Sequence, residues 1–454
     1  MTEVIAIFDI GKTNKKLLLF DKQLNIVHQE DQKFEEIKDD EGFPCDDISQ
    51  IEQWIKSSLE SIMNNPELEL KAVNFTTYGA TVMYVNAEGN RLTPLYNYLK
   101  TMPESVTSNF YTKYGGTEEF SRKTASPAMG FLNTGMQMLW MKKTRPEIFR
   151  KVKHILNFPQ YCAWLAGAEP VAEHTYIGCH SATWDFDEMR YHDWLAEEGI
   201  TLPETRPVST TFPLYGQPGG PVTGIGIHDS SASLAPYIIS APERFILLST
   251  GTWCITMNPY NYEPLTREQL KNGCLSYMSI NGKPVKSSML FMGHIHDVNL
   301  KQLTNHFKTP EDTYKQLKTN ASTAAVAAER GQMFFSTGVP VDHVDTSVDL
   351  NQFKSFEEAY HQLVMDLALL NKTYIDMVIP EKDDIKDIYI SGGFARNAIY
   401  THYLAALYPD KKVYTSEVAN STALGAAMVV YDTVGDSKKL KPDLGLHLQK
   451  PLTV

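Results

Sequence analysis

The residues best placed to do chemistry sit beside glycines. Asp9-Ile10-Gly11-Lys12-Thr13-Asn14-Lys15 contains Gly-Lys-Thr, the end of a phosphate-cradling loop that requires another glycine five residues earlier and a helix behind it. Position 6 is Ala6, and the apolar run Leu17–Phe20 that follows reads as a strand. A different chemistry fits better. A strand ending in Asp9 can hold a divalent cation. The turn at Gly11 then lets backbone N–H groups approach a phosphate, with Lys12, Thr13 and Asn14 as further donors. The plainer alternative is a polar surface hairpin.

A related segment recurs in mid-chain. Phe245–Leu248 and Trp253–Met257 are strand-like runs around Ser249-Thr250-Gly251-Thr252. Overlaying Gly11 on Gly251 sets Asp9 on Ser249, which suggests two similar halves; two unrelated hairpins remain the alternative. Facing one another, two such turns would clamp a polyphosphate through Gly11–Asn14 on one side and Thr250, Gly251 and Thr252 on the other. Gly392-Gly393-Phe394-Ala395-Arg396-Asn397 follows a strand and opens a helix. There the backbone can accept a flat ring or a phosphate, or simply turn tightly. Asp229, in Gly224-Ile225-Gly226-Ile227-His228-Asp229-Ser230-Ser231, starts a small-residue helix. It is either a helix cap, the better reading of that segment alone, or a reactive carboxylate beside a cleft. Glycines 224 and 226 do not complete a dinucleotide fingerprint. No zinc spacing closes around His174, Cys179 and His180 or around His294 and His296.

The elements that must position these groups alternate. Helical patterns are expected at Asp47–Met63, Thr134–Lys142, Ile148–Leu165, Phe356–Ile379 and Thr422–Tyr431, and strands at Leu70–Phe75, Ile385–Ile390 and Val413–Tyr414. Alternation of this kind implies α/β domains, with a boundary near Ser240-Ala241-Pro242. The chain of 454 residues has 42 Lys+Arg and 54 Asp+Glu, a net charge of −12. That balance argues against nucleic acid or an anionic membrane as partner. The five scattered cysteines read as reduced thiols. With no targeting segment or membrane span evident, the expected compartment is the cytoplasm.

Together these segments resemble the FGGY carbohydrate kinases of the actin–hexokinase–Hsp70 superfamily. IAIFDIGKTNKKLLLFD resembles the first phosphate motif of that family, and LLSTGTWC the second, in the form found in the rhamnulokinase and fuculokinase branch. GIGIHDSSASLA resembles the segment carrying the catalytic Asp, again with the His-Asp pair of that branch. IYISGGFARNAIYTHYLAALYP and STALGAAM resemble the adenosine motif and the closing helix.

The resemblance implies two ribonuclease-H-like domains, residues 1–241 and 242–454, around a central cleft. It implies ATP and Mg²⁺ held mainly by the second domain and a sugar held by the first. Asp229 would be the base and Asp9 the metal residue. Gly11, Lys12, Thr13, Asn14, Thr250, Gly251 and Thr252 would contact phosphates, and Gly392, Gly393 and Asn397 the adenosine. Tyr78, Gly79, Asn97, Tyr98 and His180 would border the sugar. The chain departs from the family mostly on that side: Leu95-Tyr96-Asn97-Tyr98 stands where a Trp and an acidic residue are common, and Thr76-Thr77-Tyr78-Gly79 where Gln-x-x-Gly is usual. Asn420 lies near a common Glu. The implied activity is transfer of the ATP γ-phosphate to a 6-deoxyhexulose or a pentulose. Alternatives are a superfamily phosphatase or acid kinase, and a non-catalytic sensor. The partners are small molecules only, and a homodimer is allowed for.

Overall fold

The computed structural model describes residues 1–452. Two mixed sheets carry the fold, and their cores share one strand order. In the first, β1 (Thr2–Ile10) pairs antiparallel with β2 (Lys15–Phe20), which pairs antiparallel with β3 (Ile26–Gln32). On its other side β1 runs parallel to β4 (Leu68–Thr77), and β4 parallel to β5 (Val222–Gly224). In the second sheet β6 (Phe245–Thr250) pairs antiparallel with β7 (Cys254–Asn258), which pairs with β8 (Pro284–Leu290). β6 runs parallel to β9 (Asp387–Gly392), and β9 to β10 (Lys412–Thr415). The repeated order, three antiparallel strands and then two parallel ones, shows that the two hairpins head equivalent sheets.

β1 is continuous and apolar because both of its faces are covered. On one side Phe8 stacks on Phe75 at 5.4 Å and meets Trp54 edge-on at 4.9 Å. Trp54 comes from α1 (Ile48–Asn64), whose buried residues are Ile48, Ile51, Trp54, Ile55, Leu59 and Ile62 and whose first turn Asp47 caps. On the other side Ile5 and Ile7 join a cluster with Ala423, Ala426 and Ala427, which belong to the far end of the chain. The second sheet is covered by α3 (Phe356–Asp376) and α4 (Ala398–Leu407).

The halves are joined by two helices, α2 (Asp229–Ser240) and α5 (Ser421–Met428). They cross so closely that a Cβ on Gly425 would lie 1.9 Å from the Ala232 carbonyl oxygen. α5 belongs to the second half by sequence but packs on the first sheet, where the fully buried Asn74 of β4 donates to the Ala426 carbonyl at 2.8 Å. α2 does the reverse: Leu234 and Tyr237 pack with Phe245, Leu247 and Tyr389 of the second sheet. Each joining helix is therefore shared between the halves.

One expected helix is not formed. Ile148–Leu165 divides into a short helix Pro146–Phe149, a strand His154–Asn157 and a helix Phe158–Leu165. The strand pairs with Val82–Val85, so tertiary pairing overrides the local apolar period, and Pro159 opens the second helix. No helix among the described residues is long and apolar enough to cross a membrane.

Candidate active site

β1 extends beyond the apolar run and carries Asp9 near its end, directly opposite Lys16 of β2. Facing residues of an antiparallel pair project to the same side of the sheet, so carboxylate and ammonium share a face. Lys16 Nζ also donates to Asn420 Oδ1 at 3.3 Å, just ahead of α5. Motif reading passes over Lys16; its position opposite Asp9 across a hairpin is the available signal.

Asp9 is largely buried and accepts no hydrogen bond from the described residues. Burial first, and then the nearby charge of Asp229, push its pKa up to about 6, with Lys16 pulling it down. Two carboxylates converging beside one lysine suit a cation, since Mg²⁺ is usually held by one or two carboxylates together with substrate phosphates. The donor set is compatible with Mg²⁺, and Asp9 is the residue that would hold it.

The shift has a consequence for stability. An acid whose pKa is raised on folding costs nothing well below its unfolded value and costs most above its folded value. The rise from 3.8 to about 6 corresponds to about 2–3 kcal/mol once Asp9 is ionised. Asp9→Asn is expected to raise the melting temperature of the ligand-free protein at pH 8 by roughly 2–3 °C. Most of that gain should be gone by pH 4. A calorimetric gain that is equal at both pH values would contradict this account of Asp9.

Asp229 is the first residue of α2, not its cap. The cap is His228, whose Nδ1 accepts the Ser230 N–H at 3.2 Å. The Asp229 side chain is 35% exposed, and its Oδ1 takes the same Ser230 N–H at 2.6 Å. Asp229 therefore shares that first-turn N–H with His228 and is not its sole acceptor. His228 is itself braced: its N–H donates to Thr175 Oγ1 at 3.0 Å, and that hydroxyl donates to the buried Glu173 at 2.7 Å. A Cβ on Gly79 would lie 2.5 Å from His228 Nε2. Gly79 thus makes room for the residue that starts the Asp229 helix.

The two glycine turns have similar local wiring. Gly11 N–H donates to the Asn14 carbonyl at 3.0 Å and Gly251 N–H to the Trp253 carbonyl at 2.8 Å. Thr13, Asn14 and Thr252 are exposed, with side chains free to meet a ligand. Thr250 is not: it is buried, its hydroxyl donates to the Ser391 carbonyl and it accepts the Phe394 N–H at 3.0 Å. It braces the Gly392 turn, where φ is +86° and a Cβ would lie 1.9 Å from the Thr250 carbonyl oxygen. Gly393 continues that turn into the 3₁₀ segment Gly393–Arg396. Asn397 caps α4 by accepting the Tyr400 N–H at 3.2 Å and donates to Tyr360 at 2.9 Å, so its amide is committed to the fold. A cavity of 570 Å³ lies between α2 and the ends of β6 and β9, lined by Ser233, Ser249, Ser391, Gly392, Arg396 and Ser421.

Lys12 does not stand among the exposed donors of its turn. Its ammonium pairs with Asp46 at 2.7 Å and Glu36 at 2.8 Å. Asp46 also holds the buried Lys15 at 2.6 Å and the Tyr78 hydroxyl at 2.9 Å. Tyr98 meets the Tyr78 ring edge-on at 6.0 Å and feels the charges of Lys12, Asp229 and Asp46. Asn97 is turned inward, donating to the Pro44 carbonyl and accepting the Leu99 N–H, each at 3.0 Å. His180 sits at φ +49° with a buried Nδ1 that has no partner among the described residues. Burial and the neighbouring His228 push its pKa down to about 4, which leaves a neutral ring able to bond a hydroxyl. The chain thus brings Asp9, Lys16 and Asp229 together and sets Tyr78, Tyr98 and Lys12 beside them.

Comparison with known proteins places this geometry in a family. The N-terminal domain of the FGGY family of carbohydrate kinases matches residues 4–207, and the carbohydrate kinase FGGY C-terminal domain matches residues 242–439. A glycerol kinase of Brucella anthropi is 22% identical, over 97% of this chain and 92% of that protein. A carbohydrate kinase of Novosphingobium aromaticivorans superposes with a TM-score of 0.80 at 21% identity, covering 99% of this chain and 97% of the other. The Plasmodium falciparum glycerol kinase solved with ADP gives a TM-score of 0.68 at 16% identity, over 96% and 90% of the two chains. The chain belongs to the FGGY family of carbohydrate kinases. Its fold is the two-domain actin/hexokinase-like one, and the activity of its class is phosphoryl transfer to an alcohol.

Proposed function

We propose that the protein is an ATP-dependent kinase of a ketose, a 6-deoxyhexulose such as L-fuculose or L-rhamnulose or a pentulose such as xylulose or ribulose. Residues 1–241 would supply the sugar side and 242–454 the nucleotide side. The observation that carries the reading is the convergence of Asp9, Lys16 and Asp229 at the junction of the halves, with Asp229 partly exposed at the first residue of α2. The sugar hydroxyl oxygen attacks the γ-phosphorus, the bond from phosphorus to the bridging oxygen breaks, ADP leaves, and Asp229 takes the hydroxyl proton. Mg²⁺, held by Asp9 when bound, would neutralise phosphate charge. Lys16 adds a fixed positive charge on the same face. Thr13, Asn14, Gly251 and Thr252 orient the phosphates, and Gly392 and Gly393 border the adenosine. The open side of Tyr98 and the free nitrogen of His180 meet sugar hydroxyls. Closure of the halves excludes water and limits futile hydrolysis.

The test is an ADP-release assay with Mg·ATP against L-fuculose, L-rhamnulose and the D- and L-forms of xylulose and ribulose. One ketose should accelerate ADP release far above the rate in water. Sugar-independent hydrolysis would favour a phosphatase, and silence despite ATP binding a sensor.

A further inference from the structure

The Gly-Lys-Thr triplet delivers a lysine to a phosphate turn, yet two carboxylates hold that lysine elsewhere. Lys12 Nζ spends two of its three N–H donors on Asp46 and Glu36. It lies 5.9 Å from the centre of the Tyr78 ring and within electrostatic reach of Tyr98, which also senses Asp229. Its side chain is 23% exposed. Asp46 is locked in place by Lys15 and Tyr78, whereas Glu36, on the short strand Glu36–Lys38, is 47% exposed. Lys12 and Lys15 set against Asp46 and Glu36 give a cluster with no surplus charge.

The geometry points to Lys12 as a specificity-determining residue for the acceptor sugar: its remaining N–H donates to a hydroxyl of an uncharged sugar, and Glu36 screens its charge so that a sugar acid gains nothing there. The inference rests on the kinase reading above. A lysine acts as a compact point charge with several donors, so removing Glu36 would leave half of its compensation gone and make the site attractive to a carboxylate.

The experiment compares wild type, Lys12→Met and Glu36→Gln in two assays. The first is steady-state kinetics with the ketose the wild type prefers and with D-gluconate. The second is titration calorimetry with Mg and a non-hydrolysable ATP analogue. Lys12→Met should raise the ketose KM at least about tenfold and leave analogue affinity within about twofold. Asp46 keeps Lys15 and Tyr78 in that variant, so the fold should survive. Glu36→Gln, a surface change, should raise the ratio of kcat/KM for gluconate over ketose at least about tenfold. Loss of analogue affinity in Lys12→Met with an unchanged ketose KM would overturn the inference and return Lys12 to the phosphates. An unchanged gluconate ratio in Glu36→Gln would overturn the screening role. A wild type that no ketose accelerates would overturn the kinase reading and this inference with it.

Discussion

Asp229→Ala should lower kcat by about 10²–10⁴-fold, the range a positioned general base contributes, and leave the affinity for Mg·ATP nearly intact. The expectation follows from where the carboxylate sits. It starts α2 and shares the Ser230 N–H with His228, whose Nδ1 stays in reach of that N–H when the carboxylate is gone. Removing the carboxylate therefore costs the helix little. It also removes one of the two negative charges near the metal position, while Asp9, with a pKa of about 6, is already ionised at pH 8, so metal binding should be preserved or slightly weakened. Asp229→Asn keeps the shape and should lose turnover to the same degree. Steady-state kinetics together with nucleotide titration separates the two effects. Near-normal turnover in either variant would show that the proton leaves by another route.

The second large effect concerns the joint. Gly425→Val should destabilise the protein by about 3 kcal/mol, the upper end of what overpacking costs, and abolish activity in whatever remains folded. The added Cβ would meet a backbone carbonyl, that of Ala232, at 1.9 Å. A side chain could rotate away; a helix backbone cannot. Relief requires α2 and α5 to separate, and both are shared between the halves: α5 through Asn74 and the first sheet, α2 through Leu234 and Tyr237 on the second. Separation would move Asp229 away from Asp9. Gly220→Ala is the control, since the nearest atom its Cβ would meet is 3.7 Å away. Thermal unfolding should show a fall of about 3 °C for Gly425→Val and none for the control. Equal melting temperatures would mean that the crossing has room for a side chain at position 425.

Much of this architecture is legible in the amino-acid sequence. The two hairpins announce themselves because an apolar run, a glycine turn and a second apolar run are local features, and Asp9 and Asp229 fall at strand and helix ends that local pattern can find. What local pattern cannot show is who uses a side chain. Thr250, Asn97 and Asn397 carry the right chemistry for a ligand, but each is spent on the fold by partners distant in sequence or by a cap. Lys12 reads as a phosphate donor from its motif, and only the folded hairpin brings Asp46 and Glu36 to it. Lys16 escapes notice for the converse reason: its importance appears once the hairpin register sets it opposite Asp9. The exchange of α2 and α5 between sheets is a tertiary choice, and both helices read only as small-residue segments.

The most direct measurement follows the phosphorus itself. Wild type, Mg·ATP and the accepting ketose are incubated and observed by ³¹P NMR. A phosphomonoester resonance on the sugar should grow in step with ADP, with little inorganic phosphate, and should fail to appear with Asp229→Ala. ADP accompanied only by inorganic phosphate, in the presence of every ketose of the panel, would contradict the assignment of this site to sugar phosphorylation.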